Sequence, residues 1–207
     1  MTVRHPVSAR EALARLQAGN ERFVKNVRSV EALASQARRS ELVEGQAPFA
    51  IVLSCSDSRA PSELLFDCGL GELFVVRVAG NIVAPSLVGS VEFAAATFGT
   101  ELVVVMGHTR CGAVKATVDA VTRGAAAPSA NVKDIVDRIA PAVRPLAEEL
   151  EGEALVRAAT RANVRASANH LRHASRILEE RHASGRLMVV GAEYALETGQ
   201  VDFFDVP

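Results

Sequence analysis

The chain has 207 residues, a formal net charge of −1 and 49% hydrophobic side chains. That is enough apolar surface for a full core, and the charge is too balanced and too dispersed for a nucleic-acid-binding footprint. No apolar run approaches the ~20 residues of a membrane span, and residues 1–10 lack the apolar centre of a signal peptide, so a cytoplasmic protein is expected. Three cysteines cannot all pair internally, which suits a reducing compartment. Tryptophan is absent and Tyr194 is the single tyrosine, so nothing is provided for stacking on bases.

Ser8-Ala9-Arg10-Glu11 reads as a capping box opening a helix that carries Leu13, Leu16 and Phe23, with Gly19-Asn20 as a break. A second helix is expected from Val30 to Val43, stopped by Gly45. Phe49 to Ser54 is a continuous apolar run, the mark of a strand covered on both faces. Pro61 suits the first turn of a short helix through Leu65, and Leu73 to Ala79 gives a second strand. A helix follows from Pro85 to Phe98, closed by Gly99, and Leu102 to Met106 gives a third strand. Cys111 to Arg123 is helical, closed by Gly124. Val132 to Leu150 is helical with interruptions at Pro141 and Pro145, and Glu153 to Ala183 reads as one long helix. Leu187 to Val190 is the fourth strand, and Glu197-Thr198-Gly199 turns into Val201–Phe204, an antiparallel edge strand.

Alternating strands and helices predict an α/β fold: a mainly parallel sheet of four strands plus the antiparallel edge strand, helices on both faces, and an N-terminal helical arm. The arm takes residues 1–45 and a single domain takes 46–207, with no repeat and no linker. The sequence leaves open whether the arm packs on its own sheet or on another subunit.

Ligands in such sheets gather beyond the carboxyl ends of the strands, and Cys55 and His108 both fall there. Cys111 follows His108 by three positions at a helix start, so both side chains can face one point. Thiolate and imidazole are zinc ligands, and three protein ligands leave the fourth position of a catalytic site open. Other readings stand beside this one: a structural histidine, or a Cys55–Cys111 disulfide. A thiol phosphatase would need a longer phosphate loop than the four positions from Cys55 to Arg59. Cys68 reads as a small buried hydrophobe.

Cys55-Ser56-Asp57-Ser58-Arg59 with Gly107-His108-Thr109-Arg110-Cys111-Gly112 closely resembles the β-class carbonic anhydrases. Gly19-Asn20-Glu21-Arg22-Phe23, Phe66-Asp67, Gly69 to Phe74, Arg77 to Asn81, and Thr198-Gly199 before Phe203-Phe204 extend the resemblance over nearly the whole chain. The resemblance implies one Zn2+ per chain on Cys55, His108 and Cys111, and reversible hydration of carbon dioxide to bicarbonate and a proton by a zinc-bound hydroxide. Two thiolates donate more charge than two imidazoles, so activity should climb with pH into the alkaline range. Asp57, paired with Arg59, would orient the nucleophile rather than close the site as a fourth ligand. Phe74, Val78, Ala79 and Phe93 would line an apolar pocket, with Gln46 and the Gly112 N–H as donors to bicarbonate. The family often has tyrosine where Phe93 stands, so a hydroxyl is missing there. Gln46 and the lack of tryptophan fit the subgroup with an open site and no allosteric bicarbonate switch. A homodimer or homotetramer is implied, with pocket walls from the partner. Two alternatives share the scaffold: a zinc hydrolase of carbonyl sulfide or carbon disulfide, and a non-catalytic zinc protein with Asp57 on the metal.

Overall fold

The structure is a computed structural model and describes residues 7–27 and 35–207. Its elements run in the order α1 (Ala9–Val24), α2 (Gln36–Glu41), β1 (Ala50–Ser54), α3 (Ser62–Leu65), β2 (Leu73–Arg77), α4 (Pro85–Thr97), β3 (Leu102–His108), α5 (Gly112–Arg123), α6 (Ala130–Val143), α7 (Gly152–His173), α8 (Arg176–Ala183), β4 (Met188–Tyr194) and β5 (Val201–Phe204). The sheet order is β2-β1-β3-β4-β5. β1 pairs parallel with β2 and β3, β3 pairs parallel with β4, and β5 closes the sheet antiparallel to β4. The α/β fold read from the sequence is therefore found.

Every residue of β1 and β3 is buried, which is why these strands read as unbroken apolar runs. Alternate side chains feed opposite faces. Ala50, Val52, Leu102, Val104 and Met106 pack under α1 and α3 through Leu13, Leu16, Leu65 and Phe66. Ile51, Leu53, Val103 and Val105 pack under α4, α7 and α8 through Val91, Val164, Leu171 and Leu178. A third cluster lies beyond the carboxyl ends of the strands, where α5, α6 and α7 bring Val114, Ile139 and Leu155 around Cys55 and Cys111.

Several boundaries differ from the sequence reading, each for a local reason. α1 runs straight through Gly19-Asn20. A Cβ on Gly19 would lie 1.9 Å from the Phe66 carbonyl oxygen, so glycine there permits close approach rather than a break. The Asn20 amide donates to the Leu65 and Gly199 carbonyls, and its oxygen accepts the Val201 N–H. Arg22 pairs with Asp67. The segment thus staples α1 to its own sheet. The capping box is half made: Ser8 Oγ accepts the Glu11 N–H, while the Glu11 carboxylate turns to Arg15.

Of the helix expected from Val30 to Val43, residues 30–34 lie outside the described residues, and the remainder is the short α2. Pro61 sits just before α3 rather than inside it. Pro141 falls in the last turn of α6, where one lost hydrogen bond is tolerated. The expected long helix breaks after His173, because Ser175 Oγ accepts the Leu178 N–H and opens α8. β4 continues past Val190, since Gly191 gives its missing side-chain space to the Phe204 ring. β2 stops at Arg77, and β3 reaches His108, two residues further than its apolar run.

Gly19→Ala should drive α1 off the Phe66 turn. The expected loss is about 1–3 kcal/mol of unfolding free energy, read as a lower urea midpoint at unchanged slope.

Candidate metal centre

β1 ends at Ser54 and β3 at His108, and the register sets Ser54 beside Met106. Cys55 and His108 therefore leave the sheet side by side. Cys111 is the residue before α5, on the loop that follows His108. The Cys55 and Cys111 sulfurs and one nitrogen of His108 all lie within 4.8 Å of one another, and all three residues are buried. Ligands of a tetrahedral zinc sit about 3.5–4 Å apart, so a small inward movement suffices. All three cysteines are free thiols, which disposes of the disulfide reading.

The fit to a metal rests on His108. Its Nδ1 lies 2.9 Å from the Thr109 carbonyl oxygen, which fixes the proton on Nδ1. Its Nε2 is fully buried and makes no hydrogen bond to any protein atom. A buried orphan nitrogen facing two thiols is costly unless something binds it. Zinc suits this donor set of two sulfurs and one imidazole.

The thiols share one proton between them. The hydrogen bond with Cys111 pulls the Cys55 thiol down to about 4 against the effect of burial, with His108 and the N–H groups of Gly80 and Asp57 helping. The same hydrogen bond, burial and the Cys55 charge push Cys111 up. A dication relieves this conflict, because it stabilises both thiolates at once. Burial opposes charge on His108, and the adjacent Cys55 and Asp57 outweigh it, so its pKa is raised while no cation is present.

Asp57 is bidentate with Arg59: Nε donates to Oδ1 at 2.9 Å and Nη2 to Oδ2 at 2.7 Å. The Arg59 backbone N–H adds a third bond to Oδ1. The Arg59 guanidinium holds the carboxyl well below the usual carboxylate range. Asp57 Oδ2 lies 3.9 Å from His108 Nε2, beside the ligand group rather than among it.

Val78, between β2 and the turn Ala79–Asn81, packs against the cluster that holds Cys55 and Cys111. Gly112 is the first residue of α5, directly after Cys111, and open space surrounds it. The remaining sequence candidates lie elsewhere. Phe74, Phe93 and Phe98 meet as tilted or edge-on rings where α4 covers the sheet, with ring centroids 5.7 to 6.2 Å apart, and Phe93 is 53% exposed. Gln46 is exposed on the segment that enters β1 from the end opposite Cys55. One chain therefore does not bring Gln46, Phe74 and Phe93 to its own ligand group. Cys68 is also apart from the group; burial pushes its thiol up to about 12.

The structure adds residues that the sequence reading passed over. Arg77 donates to the Cys55 and Asp57 carbonyls and straps the segment that carries both. Glu197 accepts from the Thr109 hydroxyl and from Arg110 Nε, so the β4–β5 turn holds the loop between His108 and Cys111. Arg77 stood in a quoted motif, and its place at the end of the neighbouring strand was the available signal. Glu197 carried no signal beyond its turn.

Comparison with known proteins agrees with this geometry. The model of the carbonic anhydrase family matches residues 50–201. Carbonic anhydrase 2 of Mycobacterium tuberculosis is 38% identical over 196 residues, covering 95% of this chain and 91% of the relative. The carbonic anhydrase of Mycolicibacterium smegmatis is 37% identical over 198 residues, covering 96% and 93%. The solved β-carbonic anhydrase CcaA aligns with a TM-score of 0.75 at 25% identity, over 93% of this chain and 95% of that one. The Coccomyxa β-carbonic anhydrase, solved with acetazolamide, aligns with a TM-score of 0.72 at 25% identity, over 92% and 85%. With the family model over most of its length and a buried Cys-His-Cys group at its strand ends, the chain belongs to the β class of the carbonic anhydrase family.

Proposed function

We propose that this protein catalyses the reversible hydration of carbon dioxide, in which water and CO2 give bicarbonate and a proton. The observation that carries the reading is the buried Cys55-His108-Cys111 group with a carboxylate–guanidinium pair beside it. When bound there, one zinc ion per chain supplies Lewis acidity that brings the ionisation of water toward neutral pH.

The chain's own residues do the rest. His108 keeps its proton on Nδ1 by donating to the Thr109 carbonyl, leaving Nε2 as a lone pair. Arg59 keeps Asp57 ionised and occupies both its oxygens, so the carboxylate is held as a hydrogen-bond acceptor rather than a fourth ligand. Asp57 would then accept a hydrogen bond from the O–H of the attacking oxygen and so turn that oxygen's lone pair toward carbon. Val78 and Ala79 give apolar surface for CO2, and the Gly112 N–H, at a helix N-terminus, donates to an oxygen of the product anion. A closed four-ligand site is disfavoured by the Asp57–Arg59 pairing, and the carbon disulfide or carbonyl sulfide reading by the carbonic anhydrase relatives.

Gln46, Phe74 and Phe93 belong to the pocket of a partner subunit in this reading, and the assembly is a homodimer or homotetramer. Their distance from their own chain's ligands and the exposure of Phe93 support it. Residues 46–207 form the catalytic domain and 1–45 its N-terminal arm, whose described part carries α1 and α2. No helix among the described residues is long and apolar enough to cross a membrane. Three unpaired buried thiols suit the reducing cytoplasm.

Stopped-flow CO2 hydration by the zinc-loaded protein tests the activity, and the rate should rise from about pH 6 to 9. Asp57→Ala and Arg59→Ala should retain zinc by elemental analysis and lose about 10²-fold or more in turnover; unchanged turnover removes both from the mechanism. Phe93→Glu should lower the assembly state in sedimentation velocity and reduce turnover together.

A further inference from the structure

Behind the ligand group, α7 touches the strand that delivers His108 and the turn that donates to Cys55. Val164 packs against Gly107, the residue before His108: a Cβ on Gly107 would lie 2.7 Å from Val164 Cγ2. On the neighbouring segment, the Gly80 N–H donates to Cys55 Sγ at 3.4 Å. Gly80 and Asn81 adopt consecutive left-handed conformations, with φ of 70° and 44°. This turn is what aims the N–H at the sulfur, and it is not a conformation Asn81 adopts without cost.

One side chain holds the turn from the far side. Asn163, on α7 and 2% exposed, donates from Nδ2 to the Gly80 carbonyl at 2.8 Å. Thr160, on the same buried face, satisfies its hydroxyl on its own helix, at the Val156 carbonyl. Asn163 instead reaches a peptide 83 positions away. A leucine there would bury apolar surface without desolvating an amide, so core packing alone does not call for asparagine.

We propose that Asn163 is a positioning residue of the metal centre: by holding the Gly80 carbonyl it fixes the Gly80–Asn81 turn, and through the Gly80 dihedrals the preceding peptide, whose N–H donates to the Cys55 sulfur. The inference rests on Cys55 being a metal ligand. A hydrogen bond to a thiolate withdraws electron density from sulfur, so Asn163 sets how strongly Cys55 donates to the ion without touching ion or substrate.

The test uses the full-length protein loaded with zinc, cobalt(II) or 113Cd. In the wild type, the Gly80 amide proton should show scalar coupling to 113Cd through Cys55 Sγ; absence of that coupling overturns the proposal whatever the variants do. In Asn163→Leu the coupling should vanish. The thiolate-to-cobalt charge-transfer band should move to lower energy, and chelator extraction of zinc should quicken about 10-fold or more. Ser167→Ala, another buried polar position on α7, should leave coupling and band where they are. If Asn163→Leu lowers only the unfolding temperature and keeps the wild-type band and extraction rate, Asn163 is a packing residue and the proposal fails. A wild-type protein that takes up none of the three ions overturns the metal centre itself, a failure separate from that of Asn163.

Discussion

The site depends on the parallel register between β1 and β3. Pairing Ser54 with Met106 sets Cys55, the first residue after β1, level with the last two residues of β3, Gly107 and His108. Both strands are buried on both faces, and their side chains interlock with helices above and below. A slip of one residue would turn every side chain of β3 to the opposite face and carry His108 away from Cys55. The ligand geometry is therefore enforced by the hydrophobic core. Cys55 follows directly on β1, and Cys111 comes from a loop that is short, bounded by β3 and α5, and clamped by Glu197.

The electrostatics follow from placing these groups where water does not reach. Two adjacent thiols cannot both ionise in a buried cluster, so one proton stays shared while the dication is absent. The protein supplies only partial compensation, through the Gly80 N–H and the backbone around Asp57. Full compensation needs a cation, and the donor set selects a soft-tolerant tetrahedral one. Asp57 would compete for that ion if it were free. Arg59 removes it from the competition while keeping its charge, and the guanidinium fork suits this because it satisfies both carboxylate oxygens in one plane.

Legibility in the sequence tracked how local the controlling physics was. β1 and β3 were readable because strands buried on both faces must be apolar throughout, and the ligands were readable because they stand immediately after those runs. His108 itself was placed after the strand rather than in it, since a polar residue ends an apolar run while the ladder to Tyr194 continues. Gly19-Asn20 read as a break because helix propensity is local. Its real partners are the Phe66 and Leu65 carbonyls and the distant Gly199 and Val201. The roles of Asn163 and Glu197 were invisible for the same reason: each acts on a segment more than eighty positions away.

The placement of the aromatic residues joins the fold to the proposed assembly. β2 is an edge of the sheet, and Phe74, Phe93 and Phe98 cluster where α4 packs beside it. An exposed edge flanked by aromatic rings invites pairing with other chains unless it is covered. Around the ligand group of the same chain, Val78 packs against the cluster that holds Cys55 and Cys111, and a side chain at Gly112 would meet open space. In the proposed reading, each chain has apolar wall that it does not use and a site that its partner completes. A two-fold arrangement answers both needs with one contact, because a surface that meets its own copy offers its aromatic edge to the partner's site and receives the same in return. In the proposed dimer, burying the edge and completing the pocket are one event, so catalytic competence and association should rise and fall together.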